Sequence, residues 1–344
     1  MPAAIQTRAL RKVYPAPPAP KRRGRAPGPP GQAGGSPASS SAAIGGGREI
    51  VALKGLDLDI HEGEFFGLLG PNGAGKTTTI GILTTRVRPT SGSALVGGAN
   101  VDTDAVRVRQ RIGVVPQRPN PDRSLNVLEN LLFHAAYFGI HTTVSLPRAN
   151  ALLEQLSIAD KAHAKVDEMS GGQQQRLMIA RALIHEPHVI FLDEPTVGLD
   201  PQTRLSLWDI LRQLHGEGRT IVMTTHYMEE ADKLCDRIAI VDRGELLELD
   251  TPEALKQRAP GGTLVEITVS GEASQVVDRV RSLDGVLRAE AQASTLRVYS
   301  DRGGRVISPV IAVVEDGGAS VTNISLTEPS LETLFVARTG RKLD

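Results

Sequence analysis

Residues 70–78 constrain the fold of this chain more than any other stretch, because they read GPNGAGKTT. They satisfy the pattern G-x-x-x-x-G-K-[ST] at every fixed position, and this pattern describes a phosphate-binding loop, the P-loop. Residues 64–69, which read EFFGLL, predict a short buried strand before the loop, and residues 77–84 predict the start of a helix after it. This context favours an anion-binding α/β domain over a glycine-rich turn that binds nothing.

Each residue type in the loop has a physical role. Glycines at positions 70, 73 and 75 are expected to adopt backbone angles that other residues resist, so that successive N–H groups turn inward. Those N–H groups and the helix N-terminus would form an anion site suited to a triphosphate. Lys76 is expected to reach its β- and γ-phosphates, and the Thr77 hydroxyl to bind Mg²⁺. The predicted nucleotide-binding residues of the loop are Gly70, Pro71, Asn72, Gly73, Ala74, Gly75, Lys76, Thr77 and Thr78.

Overall composition limits the classes of partner. The 344 residues predict one large domain and a second, smaller one. A formal net charge of zero and only 3% aromatic residues argue against a nucleic-acid partner. The single cysteine, Cys235, excludes an internal disulfide and fits a reducing compartment. No apolar run approaches the roughly 18–20 residues that span a bilayer, so the chain is expected to be soluble and to need a partner for any membrane role.

Residues 15–47 differ in composition from the rest of the chain. Proline, glycine, alanine and serine dominate, which predicts a disordered insert. Its basic cluster at positions 21–25 could touch acidic lipid or nucleic acid, but a solvated insert within a hairpin is the favoured interpretation. The flanking segments predict strands: residues 5–14 an edge strand, and residues 50–60 a half-buried strand with alternating apolar positions.

Apolar runs and helical patterns alternate between residues 112 and 242, which predicts a mainly parallel sheet with helices on both faces. Residues 124–164 interrupt this alternation with continuous helical periodicity, so a helical subdomain is predicted within residues 118–168. Either Ser124 or Asn126 is expected to cap its first helix.

Residues 169–176 read MSGGQQQR and carry the most specific family resemblance. Together with the P-loop and four further motifs in the same order, they resemble the ATP-binding subunit of ABC transporters, whose signature is LSGGQ. The serine and two glycines precede a predicted helix, which makes a second anion-binding N-terminus. The resemblance implies a homodimer with two shared ATP sites, in which each ATP contacts the P-loop of one subunit and Ser170, Gly171, Gly172 and Gln173 of the other.

The apolar residues 189–192 end in Asp193 and Glu194, and such carboxylates lie at the ligand-binding edge of a parallel sheet. The resemblance implies that Asp193 holds Mg²⁺ and that Glu194 polarises the attacking water. It also places residues 195–200, which end in Asp200, along the dimer interface.

Three single residues are assigned by the resemblance. Gln117 follows an apolar strand and matches the glutamine that reaches Mg²⁺ or water. His226 matches the switch histidine, whose imidazole bonds the γ-phosphate and orients water. Tyr14 matches the aromatic residue that stacks on adenine. ATP hydrolysis is thereby assigned to Lys76, Gln117, Glu194 and His226, and Mg²⁺ binding to Thr77, Gln117 and Asp193.

The recognisable motifs end near residue 255, so residues 1–255 are predicted to form the nucleotide-binding domain. Residues 260–344 predict strands and helices in the order β–α–β–β–α–β, which indicates a small accessory α+β domain. The predicted fold is therefore a P-loop NTPase core of α/β class with an inserted helical subdomain, an antiparallel β subdomain and this C-terminal domain.

The C-terminal residues 328–335 resemble ATPases of the ABC-2 exporter group, most closely the daunorubicin-resistance type. This implies a bacterial ATPase at the cytoplasmic face of the plasma membrane, which pairs with a separate permease and exports drugs or other hydrophobic compounds. The permease is expected to dock near Gln117 and residues 118–132, where Leu125, Val127 and Leu131 either line a groove or belong to the core.

Two other functions fit the sequence less well. A non-transport ATPase acting on ribosomes or DNA would favour two nucleotide domains or a long coiled coil, but the chain has one P-loop and no heptad run. A binding module that has lost hydrolysis is disfavoured, because Lys76, Asp193, Glu194 and His226 are all present.

Overall fold

The computed structural model describes residues 3–15 and 49–341. The predicted insert at 15–47 lies outside these residues except for its first residue, Pro15. The strands are β1 (Ala3–Pro15), β2 (Glu49–His61), β3 (Phe65–Leu69), β4 (Ser91–Val96), β5 (Ala99–Asn100), β6 (Ile112–Val115), β7 (Val189–Asp193), β8 (Thr220–Thr225), β9 (Arg237–Asp242), β10 (Glu245–Asp250), β11 (Thr263–Val269), β12 (Val286–Gln292), β13 (Thr295–Ser300) and β14 (Val321–Thr327). The α-helices are α1 (Lys76–Leu83), α2 (Ala105–Arg111), α3 (Val127–Tyr137), α4 (Thr142–Gln155), α5 (Gly171–Leu183), α6 (Pro201–Gly216), α7 (Met228–Leu234), α8 (Pro252–Gln257), α9 (Val277–Arg281), α10 (Ile307–Asp316) and α11 (Leu331–Thr339).

The central sheet has the strand order β10-β9-β3-β8-β7-β6, and all its pairings are parallel except that of β10 with β9. Every residue of β3 and β7 is buried. Strands covered on both faces need apolar side chains at every position, so the continuous apolar runs correctly predicted them. The P-loop follows β3, and the pair Asp193 and Glu194 lies at the end of β7, two strands away.

A second, antiparallel sheet has the order β2-β1-β4-β5. The prediction of β1 as an edge strand was wrong, because β1 pairs with β2 on one side and with β4 on the other. The buried Thr7 stabilises an irregularity in this pairing: its hydroxyl donates to the Leu56 carbonyl and accepts from the Leu58 N–H, each at 2.8 Å.

The two faces of the central sheet belong to different hydrophobic cores. Phe66, Leu68 and Phe191 pack with α1 and the antiparallel sheet. Their sequence neighbours Phe65 and Leu69 point to the opposite face and pack with the helical side of the molecule, which includes α3 to α7. The expectation of helices on both faces is therefore correct, but on one face an antiparallel sheet completes the layer.

The inserted helical subdomain contains α3 and α4, which pack on α5. Asn126 caps α3: its side chain accepts from the Glu129 N–H at 2.8 Å, and the Glu129 carboxylate accepts from the Asn126 N–H at 2.7 Å. This reciprocal capping box identifies Asn126 as the cap. Ser124 instead donates its hydroxyl to Asp122, at 2.6 Å.

The C-terminal strands form a separate antiparallel sheet, in the order β12-β13-β11-β14. One face of this sheet packs on α9 and α10, and the chain order β–α–β–β–α–β agrees with the prediction. The last helix, α11, leaves this domain: Leu331, Leu334 and Phe335 are buried in the same core as Leu234 and Leu255 of α7 and α8. The domain division between residues 255 and 260 stays a prediction.

Within residues 3–15 and 49–341, no helix has the length and apolar character needed to cross a lipid bilayer.

Candidate functional site

The P-loop turns sharply into α1. Gly73 and Gly75 have φ values of 83° and 107°, which a residue with a side chain resists. A Cβ atom on Gly75 would also lie 2.7 Å from Leu53 Cδ2. The expectation for Gly70 was wrong, because its φ is not positive. Glycine is required there for space, since a Cβ atom would lie 2.2 Å from the Val241 carbonyl oxygen.

Lys76 connects the P-loop to the end of β7. Its Nζ donates to the carbonyl oxygens of Gly70, at 2.6 Å, and Pro71, at 3.2 Å. The same Nζ lies 3.1 Å from Glu194 Oε1, and both side chains are at least 95% buried. The ammonium group is therefore aimed at the inner surface of the loop, with a carboxylate opposite it.

Asp193 is held by two hydroxyl groups. Thr224 Oγ1 donates to Asp193 Oδ1 at 2.7 Å, and Thr77 Oγ1 lies 3.4 Å from the same oxygen. No group of three His, Cys, Asp or Glu side chains suited to a metal occurs in the part of the chain that the structure describes. The hydroxyl and carboxylate oxygens at this edge of the sheet, with the nearby Gln117 amide, are the hard donors that Mg²⁺ prefers.

Glu194 is the centre of the polar cluster. Its φ of 48° is unusual for a residue other than glycine. Its N–H donates to both the carbonyl and the hydroxyl of Thr224, at 3.1 and 3.0 Å. Its Oε2 accepts from Gln117 Nε2 at 3.0 Å and lies 3.4 Å from His226 Nδ1. The His226 contact lacks hydrogen-bond alignment, so this nitrogen is buried without a hydrogen-bond partner.

A cleft of about 290 Å³ brings nine of the predicted residues together. Ile50 and Val51, which sequence reasoning assigned only to a strand, form an apolar part of this cleft and are 51% and 38% exposed. The lining residues are Ile50, Val51, Ala52, Pro71, Asn72, Gly73, Gly75, Lys76, Thr77, Thr78, Gln117 and Glu194.

Tyr14 lies beside the apolar part of this cleft. It pairs with Ile50 across the antiparallel sheet, near the end of β1. Its ring is partly buried, and Lys12 Nζ lies 4.9 Å from the ring centroid. The pairing brings an aromatic side chain next to Ile50, although Tyr14 is not among the residues that line the cleft.

The serine–glycine motif forms the N-terminus of α5. Ser170 Oγ accepts from the Gln173 N–H at 3.3 Å, and Gln173 Oε1 accepts from the Ser170 N–H at 2.9 Å. Gly172 faces α6, where a Cβ atom would lie 2.3 Å from Thr203 Cγ2. Ser170 and Gly171 are exposed, and none of the four motif residues lines the P-loop cleft.

Asp200 caps α6. Its carboxylate accepts from the Thr203 hydroxyl at 2.6 Å and from the Thr203 N–H at 3.0 Å. These hydrogen bonds lower the pKa of Asp200, and the bond from the Thr203 hydroxyl has the largest effect. Thr203 thus contacts both the Asp200 cap and Gly172, so it joins the two predicted dimer-interface segments.

Thr224 is the main polar residue that sequence reasoning missed. Its hydroxyl donates to Asp193 and accepts from the Glu194 N–H. The only signal was its position two residues before His226, at the end of an apolar strand next to β7.

The fold and this site define a P-loop ATPase, with a lysine, a carboxylate pair and a glutamine at the carboxyl edge of a parallel sheet. The sequence model for "ABC transporter" matches residues 53–197. A linearmycin resistance ATP-binding protein of Bacillus subtilis is 36% identical over 293 residues, which cover 85% of this chain and 94% of the relative. A daunorubicin resistance ATP-binding protein of Streptomyces coeruleorubidus is 40% identical over 301 residues, covering 86% and 92%.

A third relative is a Nod factor export ATP-binding protein of Rhizobium sp., 39% identical over 294 residues that cover 86% of this chain and 94% of the relative. Among solved structures, a dimeric ATP-binding cassette in a post-hydrolysis state with ADP and phosphate has a TM-score of 0.59 and 27% identity, covering 72% of this chain and 98% of that one. The chain therefore belongs to the ABC transporter family, as an ATP-hydrolysing subunit of the exporter type.

Proposed function

We propose that two copies of this chain bind and hydrolyse two ATP molecules between them and thereby drive export through a separate permease of the ABC-2 type. The observation that carries the proposal is the arrangement around Glu194, where Lys76, Gln117 and His226 surround one buried carboxylate. The names of the relatives, which refer to drug resistance and export, support the coupling to transport.

The chemistry assigned to the site is phosphoryl transfer to water, which depends mainly on positioning and charge neutralisation. Lys76 and the loop amides would neutralise charge on the phosphates, and Tyr14 with Ile50 would contact the base. Mg²⁺, when bound, supplies further positive charge to the phosphates, and Thr77, Gln117 and Asp193 would hold it. Glu194 would polarise the attacking water and His226 would orient it.

The placement of the signature residues supports a shared site. Ser170, Gly171, Gly172 and Gln173 do not line the cleft of their own chain, and Ser170 and Gly171 are exposed. The N-terminus of α5, where backbone N–H groups can bind an anion, is thus accessible to a second copy. A second copy would place this helix end against the phosphates, with Asp200 in the same interface.

The permease would dock on α3. Val127 and Leu131 are completely buried, so they belong to the core and do not line a groove. Phe133 and Tyr137 on the same helix are instead 69% and 80% exposed. They border a cleft of about 500 Å³ together with Arg181 and with Asn120 and Asp122, which are close in sequence to Gln117. This surface suits the apolar side of a cytoplasmic permease helix, and would hold the chain at the cytoplasmic face of the membrane.

The proposal is tested by an affinity purification of the tagged Glu194→Gln chain, with Mg²⁺ and ATP, from detergent-solubilised membranes of its own host. The amide keeps the shape of the carboxylate but cannot polarise water, so turnover should fall by at least about a hundredfold while an ATP-bound dimer accumulates. A polytopic membrane protein in stoichiometric amount is expected, and its identity would narrow the range of cargo.

The matched control is Lys76→Ala in the same background, which should recover much less of the dimer because the phosphates lose their ammonium partner. Recovery of a soluble homodimer alone, or of ribosomes or DNA, would refute the proposed permease coupling. Turnover by Glu194→Gln at the unmutated rate would remove Glu194 from its assigned role.

A further inference from the structure

Glu230 on α7 is a buried carboxyl group that the reaction described above does not use. It lies four residues after His226, so it follows the switch histidine by about one helical turn. Its exposed fraction is 0%. A carboxyl group at such a position needs polar partners, because burial without them is costly.

Its partners come from two elements that flank the hydrolytic site. Trp208 Nε1 on α6 donates to Glu230 Oε1 at 3.1 Å. Glu230 Oε2 and Thr196 Oγ1 are both buried, and each lacks a hydrogen bond of standard geometry. Thr196 lies only two residues after Glu194, in the segment that leads to the Asp200 cap.

The chemical state of Glu230 fits a role as both acceptor and donor. Burial raises the pKa of Glu230; the nearby Thr225, Thr196 and Trp208 side chains and the charge of Arg204 oppose this rise without cancelling it. A neutral carboxyl group accepts at one oxygen and donates from the other. Oε1 can thus keep the Trp208 bond while Oε2 offers a proton to the Thr196 hydroxyl.

The same region also borders the turn that carries the switch histidine. Thr225, which is adjacent to His226, accepts from the Tyr227 N–H at 2.9 Å. The Arg204 guanidinium lies over the Tyr227 ring, at 5.5 Å. Glu230 therefore lies where the segment after Glu194, the turn around His226 and α6 come together.

We propose that Glu230 is a positioning residue that holds Glu194 and His226 in the relative positions that hydrolysis requires. It acts through Thr196 on one side and the turn at Thr225 on the other, and Trp208 fixes its orientation. This inference rests on the roles proposed above for Glu194 and His226.

The test compares Glu230→Gln with Glu230→Leu in the full chain, by steady-state phosphate release with Mg²⁺ and ATP. Glutamine reproduces a neutral acceptor and donor, so kcat should stay within about twofold. Leucine has a similar volume but no polar atoms, and kcat should fall by about tenfold or more, because a small displacement of catalytic groups is costly. KM for ATP should change by less than about twofold, since the P-loop is untouched.

Glu229 provides the matched control, because it is the preceding residue on α7 and is exposed. Glu229→Leu should leave both kcat and KM unchanged. Equal kcat values for the unmutated chain and Glu230→Leu would overturn the proposal, as would equal losses of kcat for the glutamine and leucine variants.

Thr196→Val provides a second route if the leucine variant does not fold, since valine keeps the shape of threonine without its hydroxyl. It should lower kcat severalfold while KM for ATP stays within about twofold, because it removes the hydroxyl end of the link and leaves the P-loop untouched. A kcat for Thr196→Val equal to that of the unmutated chain would contradict this link. Failure of the Glu194→Gln test would instead remove the assigned role of Glu194, so the two failures are distinguishable.

Discussion

The fold brings side chains from distant parts of the sequence to the carboxylate of Glu194. Its left-handed backbone angle turns the chain away from β7, and the two bonds from its N–H to Thr224 stabilise this conformation. The side chain then meets Lys76 from the P-loop and Gln117 from the end of β6. Three segments far apart in sequence thus converge on one residue, as strained backbone at a functional site commonly requires.

Thr224→Val tests whether the missed hydroxyl contributes to this arrangement. Valine keeps the β-branched shape, but it leaves both Asp193 Oδ1 and the Glu194 N–H without this hydroxyl partner. The free energy of unfolding should fall by about 1–3 kcal/mol. Steady-state phosphate release should show a kcat lower by about tenfold, because the Asp193 carboxylate and the Glu194 backbone N–H both lose a fixed partner.

The control for this change lies on the same strand. Thr220 at the start of β8 also uses its hydroxyl, to accept from the Gly63 N–H at 2.9 Å, but it is at the opposite end from the site. Thr220→Val should destabilise the chain to a similar degree while kcat stays unchanged. Equal kcat losses in the two variants would mean that the effect of Thr224 is general instability.

The sequence identified Lys76, Asp193 and Glu194, but it did not always show why a residue type is needed at its position. Lys76, Asp193 and Glu194 follow from local motifs, since each has a fixed spacing from an apolar strand. Thr224 could not be found this way, because its role depends on the neighbouring strand β7. Gly70 was assigned the wrong cause, because a motif requires glycine without distinguishing a positive φ from a lack of space.

At the scale of elements, the contact between α5 and α6 fixes the signature motif. Gly172 allows the two helices to approach, with the Thr203 methyl group in the place that a side chain would occupy. The Thr203 hydroxyl and N–H meanwhile hold Asp200. The orientation of the α5 N-terminus is therefore coupled to the loop that follows Glu194.

Gly172→Ala tests this coupling, because the added methyl group would overlap Thr203 Cγ2 and separate the two helices. ATP-dependent dimerisation, measured by size-exclusion chromatography, should weaken by about tenfold, while binding of ATP to the single chain stays within about twofold. Adding Thr203→Ser should restore dimerisation, since serine keeps the hydroxyl that bonds Asp200 and removes the overlapping methyl group.

Gly216→Ala is the control for helix propensity, because Gly216 ends α6 and a Cβ atom there meets nothing within 4 Å. It should leave dimerisation unchanged. If Thr203→Ser fails to rescue Gly172→Ala, then Gly172 is needed for direct contact with the nucleotide and not for helix packing.

A pH-sensitive contact lies where the C-terminal ends of α3 and α5 meet. The Phe138 ring stacks on His185 at 3.9 Å, and His134 packs against the same imidazole at 6.0 Å. Burial, followed by the charges of Arg181 and His185, lowers the pKa of His134 from 6.5 to about 4. The folded state therefore favours neutral His134. The contribution of this group to the free energy of unfolding is complete above pH 6.5 and is lost as the pH falls toward 4.

His134→Phe should remove that dependence, since phenylalanine keeps an aromatic ring that does not titrate. Urea unfolding at several pH values should show the stability of the unmutated chain decreasing, relative to the variant, between pH 6.5 and 4. His163→Asn, at an exposed position of the same subdomain, should show no such trend. A constant difference between the unmutated chain and His134→Phe would contradict the assignment.

Element types were predicted better than strand neighbours. Continuous apolar runs are enough to identify β3 and β7, and the serine–glycine motif before a helical pattern is enough to identify α5. The position of β1 inside its sheet depends on β4, which lies after the whole P-loop helix. Such pairing between distant segments has no local signal, so β1 was wrongly predicted as an edge.

At the scale of the whole molecule, the central sheet separates two cores, and the site lies at the edge that they share. The core beneath the helical subdomain also contains Phe335 of α11, at the far end of the chain. Arg338 of α11 forms a further ion pair with Glu248 of β10. One continuous core therefore packs against the strands that precede Lys76 and Glu194, against α3 and against the C-terminal helix.

The exposed surface of α3 is where the proposed permease would contact this chain. Changing Phe133 and Tyr137 together to alanine removes exposed apolar area without touching the buried face of α3. Recovery of the permease with the Glu194→Gln chain should fall by about tenfold or more, since a few aromatic residues commonly dominate such interfaces. In the absence of the permease, phosphate release by the chain that carries only these two alanine changes should stay within about twofold of the unmutated rate.

Leu287 in β12 is comparably exposed, at 59%, and lies on the C-terminal domain, so Leu287→Ala is the control that should keep the permease. If Leu287→Ala loses the permease and the α3 variant keeps it, the coupling runs through the C-terminal domain, and α3 has no part in docking.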